Sequence, residues 1–382
     1  MRLGIDTLFE DPDKGSSAID YLVRFVKEIS KGSNQHKIIL LVSPNNRHLF
    51  GDNPNKDIKF VNCFFSNEYV LPRIIAEQTI VPLQAKKNKL NVLFSPGNIC
   101  PLVPSSWRTV LKISTLHHYL TPKALSPLRR YYRRIAFTAS AKRADTIIAN
   151  SFNTKKEFKR YLGIPEDKVI VVHEAVDESF RKIEKNDELR KKLQNQFGIA
   201  SPYILFASAL YPYKGADALI RAFADVKKKK NEIHLAIAGA DPLSQREKLE
   251  TLADSLGVID DVHFLGKIPN SQMPVLFGGA EVFVYPTLSE TFGKPLVEAM
   301  RCEVPIIASN VDSLPEIANK AAIFINPLDI REIASSIERV LSDKELRYDL
   351  ISQGRARAKE FSWENHVEKI IGICEGLAEN RR

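Results

Sequence analysis

Residues 282–300 read VFVYPTLSETFGKPLVEAM. The apolar run Val282–Tyr285 has the length and composition of a buried strand and stops at Pro286, which cannot extend a hydrogen-bonded ladder. A polar loop, Thr287–Thr291, follows, and a helix is expected to open near Gly293–Pro295. Proline is favourable there because its missing N–H would have had no partner. Gly293 removes a side chain where a ligand could approach the backbone closely. The first N–H groups and the positive end of the helix dipole then make an anion site. Strand, short polar loop and anion-binding helix form the working unit of doubly wound α/β folds.

The same alternation extends outward in both directions. Upstream, strands are expected at Leu3–Asp6, Ile38–Val42, Ile58–Val61, Val92–Ser95, Thr109–Ile113, Thr146–Ala149 and Val169–His173. Between them lie helical patterns such as Ala18–Ile29, whose apolar residues fall on one face. The pattern weakens in the charge-crowded Glu178–Asn195 and restarts at Tyr203–Ala207. It continues through His234–Ala238, Val262–Phe264, Val282–Tyr285, Ile306–Ala308 and Ala322–Ile325. Strand–helix alternation implies parallel sheets covered on both faces. The chain of 382 residues is too long for one ordinary core. The expected fold class is therefore α/β: two doubly wound, Rossmann-like domains facing a cleft at the C-terminal ends of their strands. The expected division is 1–182, 183–362, and a final helix in 363–382 that crosses back to the first domain.

Composition excludes several classes. At 44% hydrophobic and 26% charged residues the chain is ordinary globular protein. No apolar run approaches the ~20 residues of a membrane span. MRLGID leads directly into a strand, which predicts no signal peptide. Cys63, Cys100, Cys302 and Cys374 are far apart and form no C-x-x-C, which fits a reducing cytoplasm and gives no zinc pattern. There is no G-x-G-x-x-G after the first strand and no P-loop, which disfavours a dinucleotide oxidoreductase or P-loop enzyme. Asp11–Pro12–Asp13 matches a metal-binding D-x-D but reads better as a turn. The histidines show no ligand spacing, so no metal is expected.

Charge is uneven. Residues 1–180 contain 27 Lys/Arg against 17 Asp/Glu, so the whole net +9 lies in this half. An anionic partner suits such a half, although a solvated basic face explains it equally. The helix pattern Leu128–Arg143, LRRYYRRIAFTASAKR, interleaves aromatics with arginines. It fits an anionic membrane surface or a phosphorylated lipid acceptor. Nucleic acid is disfavoured because no recognised module accompanies the charge.

Two groups are placed to do chemistry. Glu290 and Glu298 flank the expected anion site; on a continuous helix they would stand about 12 Å apart. That is too far for the paired carboxylates of a retaining glycosidase, at about 5–5.5 Å. The spacing suits a long ligand with hydroxyls at both ends and a diphosphate between. In Leu205–Gly215, LFASALYPYKG, Lys214 follows a strand end and precedes the helix Ala216–Lys228. There its ammonium could neutralise a leaving diphosphate.

These motifs resemble the donor domain of the retaining GT-B glycosyltransferases of family 4. Lys214–Gly215, Phe264–Gly266, Pro286–Ala299, Pro305–Ala308 and Leu314–Glu316 match that family's pattern in order and spacing. Gly15, His117, Asn150–Phe152 and Ala175–Asp177 match more loosely. The resemblance implies that Lys214 binds the diphosphate and that Glu290 contacts the donor sugar. It places the backbone of Thr291, Phe292, Gly293 and Lys294 against phosphate and sugar, and Glu298 on the ribose. Gly266, Lys267 and Ile268 would lie beside the base. Gly15 would close on the diphosphate, and His117 would lie near the transferred sugar. Catalytic roles fall to Glu290, His117 and Lys214, with no metal and no cofactor. Three positions depart from the pattern: Ala209 where an arginine is common, His118 where an aspartate is common, and Glu303 where a glycine is usual.

The expectation is a metal-independent, retaining hexosyltransferase of the cytoplasm or the inner face of its membrane. It would use a GDP-mannose or UDP-hexose donor and a glycan or lipid-linked acceptor, in polysaccharide, lipopolysaccharide or glycolipid synthesis. The alternatives are a nucleotide-sugar epimerase on the same fold and an inactive binding or scaffold protein.

Overall fold

The computed structural model describes residues 1–9, 17–32, 36–51, 57–64, 70–121, 126–199 and 202–379. The chain divides into two compact units: Met1–His173 with Trp363–Arg382, and Glu174–Ser362. The described residues of the first unit form one parallel sheet of β1 (Arg2–Asp6), β2 (Lys37–Val42), β3 (Ile58–Asn62), β4 (Val92–Ser95), β5 (Arg108–Ile113), β6 (Thr146–Ala149) and β7 (Val169–Val171). Its order is β3-β2-β1-β4-β5-β6-β7. The second unit has β8 (Tyr203–Ala207), β9 (His234–Ala238), β10 (Val262–Gly266), β11 (Val282–Tyr285), β12 (Ile306–Ser309) and β13 (Ala322–Ile325), in the order β10-β9-β8-β11-β12-β13. Both are doubly wound Rossmann-like sheets.

The strands read as unbroken apolar runs because both faces are covered. Tyr203–Ala207 and Val282–Tyr285 are buried at every position. Their side chains alternate between two cores: Leu205, Phe283 and Tyr285 join one, Ile204, Phe206, Val282 and Val284 the other. In each sheet the strand order reverses once, between β1 and β4 and between β8 and β11. At such a reversal the following loops part to opposite faces and leave a crevice at the strands' C-terminal ends.

The units divide after His173, not at 182 as the charge crowding suggests. Val176 and Phe180 are buried in the second unit's core beside Leu189, Leu193 and Phe277, so those intervening residues belong to that unit. The final helix, Trp363–Glu379, belongs to the first unit. Val367, Ile370 and Cys374 are buried among Leu22, Phe25 and Phe94. His366 donates from Nδ1 to the His173 carbonyl (2.7 Å) and accepts the Tyr21 hydroxyl at Nε2 (2.9 Å). All four cysteines are free and buried, and burial pushes the Cys63, Cys100 and Cys302 thiols up to about 12.

Candidate active site

The loops after β8 and β11 meet at the second unit's strand-order reversal. The first leaves β8 through Ala209, turns at Pro212–Lys214, and enters the helix Ala216–Lys227 through Gly215 at φ 76°. A Cβ on Gly215 would lie 2.1 Å from the Pro286 carbonyl oxygen, so the two loops touch backbone to backbone. The Leu288 N–H donates to the Tyr213 carbonyl (2.7 Å), fixing their register. Gly293, at φ 94°, caps the helix Lys294–Arg301 with Pro295 in its first turn. Its first N–H groups have no intrahelical partners and lie beyond the end of β11.

Within this frame Lys214 and Glu290 form a nearly buried ion pair of 2.8 Å, their side chains 9% and 14% exposed. Lys214 Nζ also donates to the Tyr285 hydroxyl (3.0 Å), and that hydroxyl donates to Glu290 Oε2 at 2.5 Å. Glu290 Oε1 accepts the Thr291 N–H (3.0 Å). The backbone of Glu290 is pinned on both sides: its N–H donates to Asp312 Oδ2 (2.9 Å), and its carbonyl accepts from Ser313 Oγ (3.0 Å). Burial alone would raise the Glu290 carboxyl. The Lys214 charge and hydrogen bond, with those from Tyr285 and Thr291, hold it below the usual carboxylate range. Burial drives the Tyr285 phenol well above its ordinary value, and the Glu290 charge adds to it, so Tyr285 stays a neutral donor. An ammonium has three N–H groups and a carboxylate about four acceptor sites. The cluster therefore leaves one Lys214 N–H and about one Glu290 lone pair for a ligand.

Of the expected donor residues, the structure joins Lys214, Glu290 and Thr291 by direct bonds. Gly293 and Lys294 open the adjoining helix, and Lys294 Nζ lies 4.0 Å from Glu298 Oε1 one turn on. Burial raises the Glu298 carboxyl and the Lys294 charge opposes it. The Phe292 side chain is buried against Phe361, so only its backbone faces outward chemistry. Gly266 ends β10 and Lys267 and Ile268 follow it, two strands from β8, or ~10 Å at the usual strand spacing. Gly266 holds φ 66° with open space beyond its Cα, and its carbonyl accepts the Gly239 N–H (2.8 Å). Gly15 and Asp11–Pro12–Asp13 lie outside the described residues. The backbone of His117 opens the short helix His117–Leu120 beyond β5. His118 is buried between Tyr119 and Phe137, so it is a packing residue of the first unit. Glu303 has φ 58°, the left-handed conformation for which glycine is the ordinary choice.

Sequence reading missed Tyr285, Asp312 and Ser313. Tyr285 ends an apolar strand and reads in the sequence as part of it; the available signal is a hydroxyl-bearing aromatic as the last strand residue, five before Glu290. Among the described residues no group of three or more His, Cys, Asp or Glu is placed to hold a metal. On the first unit, the helix Pro127–Arg143 turns Leu128, Tyr131 and Ile135 outward at 80%, 68% and 54% exposure.

The family models for glycosyl transferases group 1 and for glycosyltransferase family 4 match residues 186–357 and 21–180. Both are glycosyltransferase models, and they match successive parts of the chain. Among curated proteins, the chain is 30% identical over 235 residues to the serotype-specific mannosyltransferase WbdA of Escherichia coli, covering 61% of this chain. It spans under a third of that relative's length (29%). The O-antigen chain mannosyltransferase B of Escherichia coli is 27% identical over 69% of each chain. Among solved structures, the sucrose-phosphate synthase of Thermosynechococcus elongatus superposes with TM-score 0.77 at 17% identity over all of both chains. Anabaena Alr3699/HepE in complex with UDP and glucose gives 0.74 at 18% identity, over 98% of this chain and 100% of that one. These likenesses establish the GT-B fold class, two Rossmann-like domains.

Proposed function

We propose that the chain is a retaining, metal-independent hexosyltransferase moving a hexose, mannose in the first instance, from a nucleotide-diphosphate donor to a glycan or lipid-linked acceptor. The observation that carries this reading is the Lys214–Tyr285–Glu290 cluster at the strand-order reversal beside a helix N-terminus. The spare Lys214 N–H and the first turn at Gly293–Lys294 supply positive charge to a departing diphosphate, which a metal would otherwise provide. Glu290 holds a donor-sugar hydroxyl, the raised carboxyl of Glu298 meets the ribose, and Gly266–Ile268 lie beside the base. Gly15 and His117 serve the diphosphate and the transferred sugar. The names of the mannosyltransferase relatives support mannose as the sugar and polysaccharide synthesis as the setting.

A thermal-shift screen with GDP, UDP, ADP, CMP and dTDP in excess EDTA tests the donor site. One diphosphate at 100 times its dissociation constant should add about 2.7 kcal/mol to stability. Labelled donor then reports transfer. No shift with any nucleotide would sink the donor-site reading, and a shift without transfer would favour a binding protein.

The apolar stripe Leu128–Tyr131–Ile135, flanked by Arg129 and Arg134, suits the surface of an anionic bilayer. The protein should float with phosphatidylglycerol vesicles and not with phosphatidylcholine. A Leu128→Asp/Ile135→Asp variant should stay in the soluble fraction. Equal flotation of both proteins would exclude this helix as the contact.

A further inference from the structure

At the N-terminal ends of β1, β2 and β3 the first unit holds a cavity of about 470 Å³, a size usual for small-molecule sites. Among the described residues five cations line it, Arg2, Lys37, Lys59, Lys87 and Lys89, against one carboxylate, Asp57. The sheet's register gathers them. Arg2 and Lys37 are direct partners at the starts of β1 and β2, and Ile39 is paired with Lys59 of β3. Leu3, Ile38, Leu40 and Ile58 face one core, and Ile39 and Leu41 face the other. By alternation Arg2, Lys37 and Lys59 share the Ile39 face. The helix Val70–Lys87 covers that face through Val81 and Ala85, and its end brings Lys87 and Lys89 to the same cavity.

This arrangement opposes folding. Like charges directly opposite on neighbouring strands repel, and Arg2 with Lys37 is such a pair. Among the described residues none of the five cations forms an ion pair. Asn88 orients two of them: its carbonyl accepts from Arg2 Nη1 (3.4 Å) and its Oδ1 from Lys59 Nζ (3.1 Å). Both keep further N–H groups for a ligand, since a guanidinium has five and an ammonium three. Lys89 stands at φ 52° just past the helix end, where its N–H reaches the Lys86 carbonyl and the Leu90 N–H the Ala85 carbonyl. Glycine is the usual residue there, so a lysine costs stability while adding a charge to the cavity. The negative end of the helix dipole favours nearby cations and accounts for Lys87. It gives no reason for a repelling strand pair or a left-handed lysine. Residues that oppose folding while converging on a cavity have the signature of a binding site.

We propose that this cavity binds a soluble phosphorylated small molecule carrying about two or more negative charges. Five cations against one carboxylate leave most of the positive charge uncompensated. A phosphate ester, at about −1.5 to −2 near neutral pH, or a diphosphate matches that better than a single carboxylate does. The lysines meet phosphate oxygens as point charges, and the Arg2 fork can hold two of them at once. Bound anion relieves the repulsion between Arg2 and Lys37, so the ligand stabilises the first unit. The site lies ~13 Å along β1 from the crevice at the strands' C-terminal ends. It stands on the first unit alone and does not rest on the transferase reading.

The test titrates the full chain with inorganic pyrophosphate and with glycerol phosphate by calorimetry, in about 0.15 M salt so that exposed charges are screened. Wild type should bind at least one of them and melt higher in its presence. Lys37→Gln/Lys89→Gly should weaken that binding about tenfold or more. Without ligand the same variant should melt at or above wild type, because it loses both the repulsion and the left-handed lysine. Lys86→Gln/Lys156→Gln removes equal charge from exposed positions outside the cavity and should bind like wild type. Loss of the nucleoside-diphosphate shift alone would sink the donor-site reading and leave this site standing. No binding by wild type, unchanged binding by the cavity variant, or equal losses in the two variants would overturn the proposal. Displacement of the bound probe by phosphatidylglycerol vesicles would assign the site to a lipid headgroup and overturn a soluble ligand.

Discussion

Replacing Lys214 with methionine should destabilise the second unit by about 3–5 kcal/mol, because it leaves the Glu290 carboxylate buried without its counter-ion. Transfer should fall by about 10²–10³-fold at least, the scale of losing one preorganised charge stabiliser. The decisive comparison is the double variant Lys214→Met/Glu290→Gln. Removing the stranded charge should restore most of the stability while transfer stays lost. Denaturant unfolding and labelled-donor transfer separate the two effects. A single variant as stable as wild type would show that the pair is solvated, contrary to its burial. The sign with pH follows from the lowered Glu290 carboxyl. The pair's contribution is fully present at neutral pH and is lost only as pH falls through that depressed value.

Gly215→Ala should unfold or loosen the site by about 4 kcal/mol or more, among the larger single-residue effects. Two causes add. At φ 76° an alanine is in the left-handed region, and its Cβ would stand 2.1 Å from a backbone carbonyl of Pro286 that cannot rotate away. The loop carrying Lys214 must then part from the loop carrying Glu290. Nucleoside-diphosphate affinity should therefore fall with stability, whereas Gly163→Ala, also left-handed but facing open space, should cost only about 1–2 kcal/mol. Equal losses in the two variants would remove the loop contact from the explanation.

The strands were legible because each is a short apolar run bounded by polar turns. Val92–Ser95, Thr146–Ala149, Tyr203–Ala207, His234–Ala238, Val282–Tyr285 and Ala322–Ile325 have the bounds expected from sequence. The helix Asp187–Phe197 was hidden by its charges, since only Leu189 and Leu193 are buried. Its caps were there to read: Asn186 accepts from the Leu189 N–H, and Gly198 stands at φ 65°. The helix Val70–Lys87 was harder, because its inward stripe includes Glu77 and its run is broken by Pro82. A buried carboxylate defeats hydrophobic periodicity. In the site, Lys214 and Glu290 were legible from their loops and from resemblance. The bond from Lys214 to Tyr285 was not, because it depends on β8 and β11, distant in sequence, becoming neighbours.

The helix Trp363–Glu379 gives synthesis of this chain an unusual timetable. Tyr21 meets His366 across 345 positions, and all of Glu174–Ser362 is made before that helix exists. At about 5–20 residues per second those intervening residues take roughly 10–40 s. Through that interval the surface around Leu22, Phe25 and Phe94 has nothing to cover it and is open to chaperones or to other nascent chains. Of the two units, the one begun first is thus the last to close, and emergence of Trp363–Glu379 is the event that closes it.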